Sequence, residues 1–317
     1  MKQFIYLCCL LACMVSFAQT AEQFTDASAR KQDDFARTLP ELNEAPEFKG
    51  LSPIQQQKLI NDLAESEKNT DEVSNGLAGA MSSTPTLIDA WKVLDDAGVE
   101  QALRSDPDKL AKVNRYLDHH PTNKDRFVED LKKTSDPEKF IDRTFWIDAL
   151  IQQYGNDVSQ FTTQGLSRTD VPPSTVDDML HASSAPADIR QGIVDDLIHS
   201  GSTVPFKVDI QAGDALFKIS PKGNGVSDFS PYWVTKRELD DVRSEENLEQ
   251  KLGLPLGSHG VEYEVFKITA TTDVSAFTST IAPTLQNGYA TIGGATQTLV
   301  LDRTLWSAAS KVATFIP

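Results

Sequence analysis

The sequence predicts an α+β protein, a helical array over residues 51–200 followed by a small β-rich domain over residues 204–317. Three observations predict it. Helix starts of the form Ser/Thr/Asp-Pro recur through the first region, each leading into apolar residues at helical spacing. After Gly201-Ser202-Thr203 the pattern changes to short Val-, Ile-, Phe- and Thr-rich runs separated by Gly and Pro. The charge changes at the same place: residues 19–203 carry 19 Lys and Arg against 33 Asp and Glu, whereas residues 204–317 carry 10 against 13.

The first 18 residues read as an export signal. Lys2 is a short positive start, an apolar stretch follows, and Ser16-Phe17-Ala18 is a small-x-small cleavage site. The stretch is too short for a stable membrane span, so the expectation is a secreted protein cut near Ala18. A rival reading takes Leu10-Leu11-Ala12-Cys13 as a lipoprotein box, which would leave Cys13 lipidated. Cys8, Cys9 and Cys13 are the only cysteines. Cleavage after Ala18 therefore leaves no thiol for disulfides, nucleophilic catalysis or metal binding.

Residues 19–50 are polar and aperiodic and read as a leader. Ser52-Pro53 then opens a helix with Ile54, Leu59, Ile60 and Leu63 as its stripe. Thr84-Pro85 opens another carrying Leu87, Ile88, Trp91 and Leu94, stopped at Gly98. Asp106-Pro107 precedes Leu110, Val113, Tyr116 and Leu117. Residues 122–131, 136–154 and 186–198 repeat the pattern. Beyond the boundary, strands are expected over 206–210, 215–219, 263–269 and 297–301, with one helix opened by Thr235 and a second over 247–252.

The net charge of −16 sits mostly in the helical region and argues against nucleic acid or an anionic membrane as its partner. The near-neutral C-terminal region leaves room for a local anion pocket. Residues 204–317 hold one histidine, His259, which disfavours a histidine-built metal site there. No Walker A loop or strand-linked G-x-G-x-x-G occurs. His119-His120 precede Pro121 and read as a helix C-terminus.

Three constellations can carry chemistry. In Gly293-Gly294-Ala295-Thr296-Gln297, two glycines allow close backbone approach and Gln297 can donate and accept hydrogen bonds, as a ribose or carboxamide requires. A plain turn followed by a strand is the blander account. Glu262-Tyr263-Glu264 places both carboxylates on one face of a strand, where an acid beside an anomeric carbon would stabilise developing positive charge. An exposed charged face is the alternative. Lys218, at the end of a strand, is suited to hold a phosphate as a point charge. Phe229, Tyr232 and Trp233 offer a wall for a planar ring, or ordinary core packing.

In order, the C-terminal region reads Gly213-Asp214…Lys218, Ser230-Pro231, Leu254-Pro255-Leu256-Gly257-Ser258, Tyr263-Glu264-Val265-Phe266, Ile281-Ala282-Pro283 and Gly293-Gly294-Ala295-Thr296-Gln297. This order resembles the NAD-glycohydrolase domain of the tuberculosis necrotizing toxin family, over about a third of the chain. The helices around Ala90-Trp91-Lys92-Val93-Leu94-Asp95 resemble, more loosely, regions that precede toxin domains in bacterial polymorphic toxins.

The resemblance implies an ADP-ribosyltransferase-like fold and hydrolysis of NAD or NADP, taken as substrate with no bound cofactor, at the nicotinamide–ribose bond. It implies a cognate immunity protein as a partner. The family's glutamine falls on Gln297, its arginine on Lys218, and its histidine on Glu264; the last two are departures. Gln297 would then orient the ribose or nicotinamide and Glu264 stabilise the transition state, with Glu262 beside it. Lys218, Ser230, Tyr232, Gly293 and Gly294 would contact the substrate, and no metal is expected. ADP-ribosyl transfer to a protein, with Glu262 activating the acceptor, and a non-catalytic secreted binding protein are the alternatives.

Overall fold

Helix starts are the most directly encoded feature of the chain. The computed structural model describes residues 39–69, 86–227, 229–243 and 248–317, so the export signal, both Cys13 and Ala18, and the Thr84-Pro85 start lie outside the described residues. The chain divides into two compact units, residues 1–145 and 146–317.

In the first unit the end of the expected leader is already helical: residues 39–44 form one turn and Pro46–Lys49 (α1) another, burying Leu42 and Phe48. The chain continues through Pro53–Asn69 (α2), Thr86–Asp96 (α3), Gln101–Arg104 (α4), Pro107–His119 (α5) and Lys124–Lys133 (α6) into Pro137–Tyr154 (α7), which crosses the division. Ser52 caps α2 reciprocally with Gln55: Gln55 N–H donates to Ser52 Oγ at 3.3 Å, and Ser52 N–H to Gln55 Oε1 at 3.3 Å. Asp106 accepts from Asp108 and Lys109 N–H to cap α5. Gly98, at φ +74°, ends α3 where expected.

Leu59, Leu63, Trp91, Leu94 and Leu110 are buried, but Ile54, expected on the α2 stripe, is exposed. One charged group is enclosed with them. Asp62 is 1% exposed and accepts from Trp91 Nε1 and Arg104 Nε, both at 2.8 Å. Burial raises its pKa above the usual carboxylate value despite the opposing pull of Arg104 and Trp91.

Among the described residues, the second unit holds all the strands: Phe161–Thr163 (β1), Phe206–Ile210 (β2), Ala215–Pro221 (β3), Tyr232–Trp233 (β4), Tyr263–Thr269 (β5), Val274–Thr280 (β6), Thr284–Gln286 (β7), Tyr289–Thr291 (β8), Thr296–Leu299 (β9) and Ser310–Phe315 (β10). They form three antiparallel sheets, ordered β1-β7-β8, β10-β5-β3 and β2-β6-β9-β4. A bridge between Phe217 and Val234 ties β3 to the residue after β4. The helices of this unit are Pro173–Ala182 (α8), Ala187–His199 (α9), Lys236–Arg243 (α10) and Leu248–Lys251 (α11).

The α+β architecture therefore stands, but the division falls at Phe145/Trp146 and not at residues 201–203. The cause lies in packing. Val176 and Met179 of α8 and Val194, Leu197 and Ile198 of α9 share one core with Phe277 of β6 and Leu299 of β9. Those helices cover a sheet, so they belong to the β-containing unit. Both faces of the β10-β5-β3 sheet are covered as well. Ile219, Tyr263 and Val265 pack with Leu239 and Val242 of α10 on one face, and Leu216 and Ile268 with Trp233 and Trp306 on the other.

Candidate functional site

A cavity of about 290 Å³ lies within the second unit. Its wall combines Phe217, Lys218 and Ile219 from β3 with Tyr232 and Trp233 from β4 and Gln297 from β9. Leu239 and Val242 from α10, the Leu252–Pro255 segment and the Ile281-Ala282 segment complete much of the rest. Phe161 and Thr163 of β1 and Ser200, just beyond α9, line it too. None of the lining residues is Asp, Glu or His.

Gln297 is held tightly. It is 4% exposed and pairs in register with Ser279 of β6, so the two side chains share a face. Its Nε2 donates to Ser279 Oγ at 3.0 Å and to Ser200 Oγ at 2.8 Å. Ser200 is the C-cap of α9 and its hydroxyl donates to Leu197 O at 2.7 Å. Ser200 Oγ accepts from Gln297 Nε2 and also approaches Tyr232, so it sits at the meeting point of the helix end, the amide and the phenol. Gln297 therefore spends both N–H donors on the protein and offers Oε1, an acceptor, to a ligand. Gly201 makes this possible, since a Cβ there would stand 2.7 Å from Ser279 Oγ.

Lys218 donates to Ser230 Oγ at 2.5 Å and lies 5.8 Å from the centre of the Tyr232 ring. Among the described residues no carboxylate pairs with it, and burial alone lowers its pKa from 10.5 to about 8. An ammonium ion short of solvent and without a counter-charge is a receptive site for an anion. Tyr232 has its pKa raised by burial and by Asp196, against the hydroxyl of Ser200.

The structure thus brings Gln297, Lys218 and Tyr232 to one cavity, with Ser230 bonded to Lys218. It does not bring the expected carboxylates there. Glu264 pairs in register with Ser220 and is not among the cavity-lining residues; alternation puts it on the face opposite Phe217 and Ile219, the face it shares with Lys218, which pairs with Phe266. It forms an ion pair with Lys311 at 2.7 Å and accepts from Gly223 N–H at 3.3 Å. Lys311 beside it holds its pKa below the usual value. Glu262 shares that role, paired with Lys222. The two acids fasten the 222–225 turn and β10 to β5, and neither Glu264 nor Glu262, both expected to meet the substrate, is among the residues that line the cavity.

Gly293 and Gly294 are likewise off the cavity wall. Gly293, at φ +62°, packs so closely that a Cβ would meet Ile281 O at 2.4 Å, and Gly294 N–H donates to Ile281 O at 3.0 Å. The glycines serve backbone-to-backbone packing behind Ile281 and Ala282, which do line the cavity. Phe229 is 86% exposed and forms no wall, and Trp233 donates its Nε1 to Ser230 O at 2.7 Å. Sequence reasoning missed Phe161, Thr163 and Ser200, which lie before the expected boundary. A Phe-Thr-Thr run and a serine next to a glycine at a helix end were the only signals.

Among the described residues no helix is long and apolar enough to cross a membrane, and no three His, Cys, Asp or Glu side chains gather where they could hold a metal ion. No protein-family model matches the chain, and no curated protein matches it. Among solved structures it is similar to Rhs1-CT, determined in complex with its cognate immunity protein RhsI1. The likeness covers 38% of this chain and 86% of that one at 19% identity, with a TM-score of 0.28. At that score it establishes neither fold nor activity.

Proposed function

We propose that the second unit is an NAD(P) glycohydrolase, exported as a toxin and restrained by a cognate immunity protein. One observation carries the reading. Segments scattered through the region that resembles the NAD-glycohydrolase family supply Lys218, Leu254, Pro255, Ile281, Ala282 and Gln297 to a single cavity. A cation for phosphate, an oriented acceptor for ribose and aromatic surfaces for a pyridine ring are then side by side.

In the reaction the C1′–N bond breaks and its electron pair stays on the nicotinamide nitrogen, neutralising the ring. The oxocarbenium-like sugar takes hydroxide from water, releasing a proton. Gln297 Oε1 accepts from a ribose hydroxyl or the attacking water, and its dipole faces the developing positive charge. One preorganised dipole of this kind is worth about 10²–10³ in rate. The cavity's own lining offers no carboxylate, so the cleavage is dissociative and dipole-assisted, without a covalent glycosyl intermediate. Transfer of ADP-ribose by way of Glu262 is the less favoured reading, because that acid is paired with Lys222 and is not among the cavity-lining residues.

The test uses the full chain, since residues 204–317 alone lack Phe161 and Ser200. Incubation with NAD and with NADP, followed by chromatography for nicotinamide, should give turnover, reduced about 100-fold in Gln297→Ala. Absence of release from either nucleotide, with wild type and variant alike, overturns the reading. Label from NAD appearing on protein in place of free ADP-ribose would redirect it to transfer.

A further inference from the structure

The cavity is small for a dinucleotide. Its volume of about 290 Å³ falls at the lower end of the roughly 300–1,000 Å³ typical of ligand pockets. Beside the hydroxyl-bearing Thr163, Ser200, Tyr232 and Thr284, its charged and amide groups come singly. Lys218 is the one cation on the wall, and Gln297 offers one acceptor after Ser200 and Ser279 have taken its two donors. The remainder of the wall is largely apolar, with Phe161, Phe217 and Tyr232 supplying ring surface. One planar ring, one ribose and one phosphate would satisfy this complement. A second phosphate and an adenine would find no further cation among the lining residues.

We propose that the site recognises a single ribonucleotide unit, so that nicotinamide mononucleotide is a ligand and a substrate in its own right. The inference rests on the NAD(P)-cleaving reading and names the part of the substrate that the protein grips. Hydrolysis breaks the same C1′–N bond: water supplies hydroxide to C1′, one proton is released, and the products are nicotinamide and ribose 5-phosphate. The adenylate half of NAD then lies outside the cavity and adds little to binding.

The experiment compares NAD, nicotinamide mononucleotide and nicotinamide riboside on the full chain, by calorimetric binding and by nicotinamide release. The mononucleotide should match NAD in kcat/KM to within about threefold, since both present the same contacts. The riboside, lacking the phosphate, should fall by about tenfold or more, the usual loss when a charge-assisted hydrogen bond is removed. Lys218→Met should erase the difference between mononucleotide and riboside, while circular dichroism verifies its fold. Cleavage of NAD with no binding or cleavage of the mononucleotide overturns the inference and leaves the glycohydrolase reading standing. Binding of the mononucleotide without cleavage of any compound upholds single-unit recognition and overturns the glycohydrolase reading. Failure of all three to bind overturns both.

Discussion

Lys218→Met isolates the most unusual charge in the second unit, because methionine keeps much of the apolar stem and deletes the ammonium. Burial lowers the pKa of Lys218 from 10.5 to about 8, with no counter-charge offsetting it. Converted at about 1.4 kcal/mol for each tenfold change in proton affinity, that drop is a penalty of about 3 kcal/mol on the charged form. The side chain is only half-buried and keeps Ser230, so the expected net cost at neutral pH is about 1–2 kcal/mol after solvent screening.

The sign follows from linkage. Between pH 8 and 10.5 the unfolded chain binds a proton at this lysine that the folded chain has lost, so stability rises with pH across that window. Urea unfolding should therefore find Lys218→Met more stable than wild type at pH 7, with the gap closing by pH 10. A phosphate-bearing ligand should bind best below pH 8 and weaken above it. A variant less stable than wild type at pH 7, or a gap unchanged between pH 7 and 10, refutes the burial argument.

Glu264→Gln breaks the pair with Lys311, neither partner of which lines the cavity. It should cost at most about 1 kcal/mol in urea unfolding and leave nicotinamide release within about twofold of wild type. Because Lys311 holds the Glu264 pKa low, the contribution of that pair is present above the ordinary carboxylate range and is lost as the pH falls through the folded value. Ser200→Ala frees the Gln297 amide to rotate and should reduce nicotinamide release about tenfold, seen mainly in kcat, with a stability loss near 1 kcal/mol. In the first unit, Asp62→Ala leaves Arg104 and the Trp91 N–H without their acceptor and should cost about 3–5 kcal/mol in denaturant unfolding.

Much of this fold was legible because its signals are local. Asp106, Ser52 and Thr235 each precede a helix and accept from its first turn, which any reader of capping residues can anticipate. The strands 206–210 and 263–269 fall where β-branched and aromatic runs place them. Strands β1, β7 and β8, at three residues each, are too short for alternation to register. Helix α8 buries only Val176 and Met179 and opens on Pro172-Pro173, so its apolar stripe is thin.

The division at Phe145/Trp146 was hidden because composition marks where strands begin, whereas the core is defined by which helices cover them. The site divided along the same line. Lys218 and Gln297 were chosen for their chemistry and share a cavity. The Glu262-x-Glu264 spacing assumed a strand through both acids, but the strand begins at Tyr263, and spacing is silent on which face meets the cavity when both are covered.

The absence of an acid from the lining changes how positive charge would be accommodated on the proposed reading. A bound phosphate cancels Lys218, and beyond Asp196, whose charge reaches Tyr232, two features with negative ends then remain near the sugar. One is Gln297 Oε1, fixed by Ser200 and Ser279. The other is the carbonyl end of α9, a 13-residue helix capped by Ser200, where the macrodipole leaves about half a negative charge. Ser200 belongs to both, closing the helix and orienting the amide, so the electrostatics of the cavity depend on a residue ahead of the strands that form most of its wall. That dependence explains why α9 belongs with this unit in function as well as in packing. It also means that a fragment beginning at residue 204 would lose the orientation of Gln297 even if its strands still assembled.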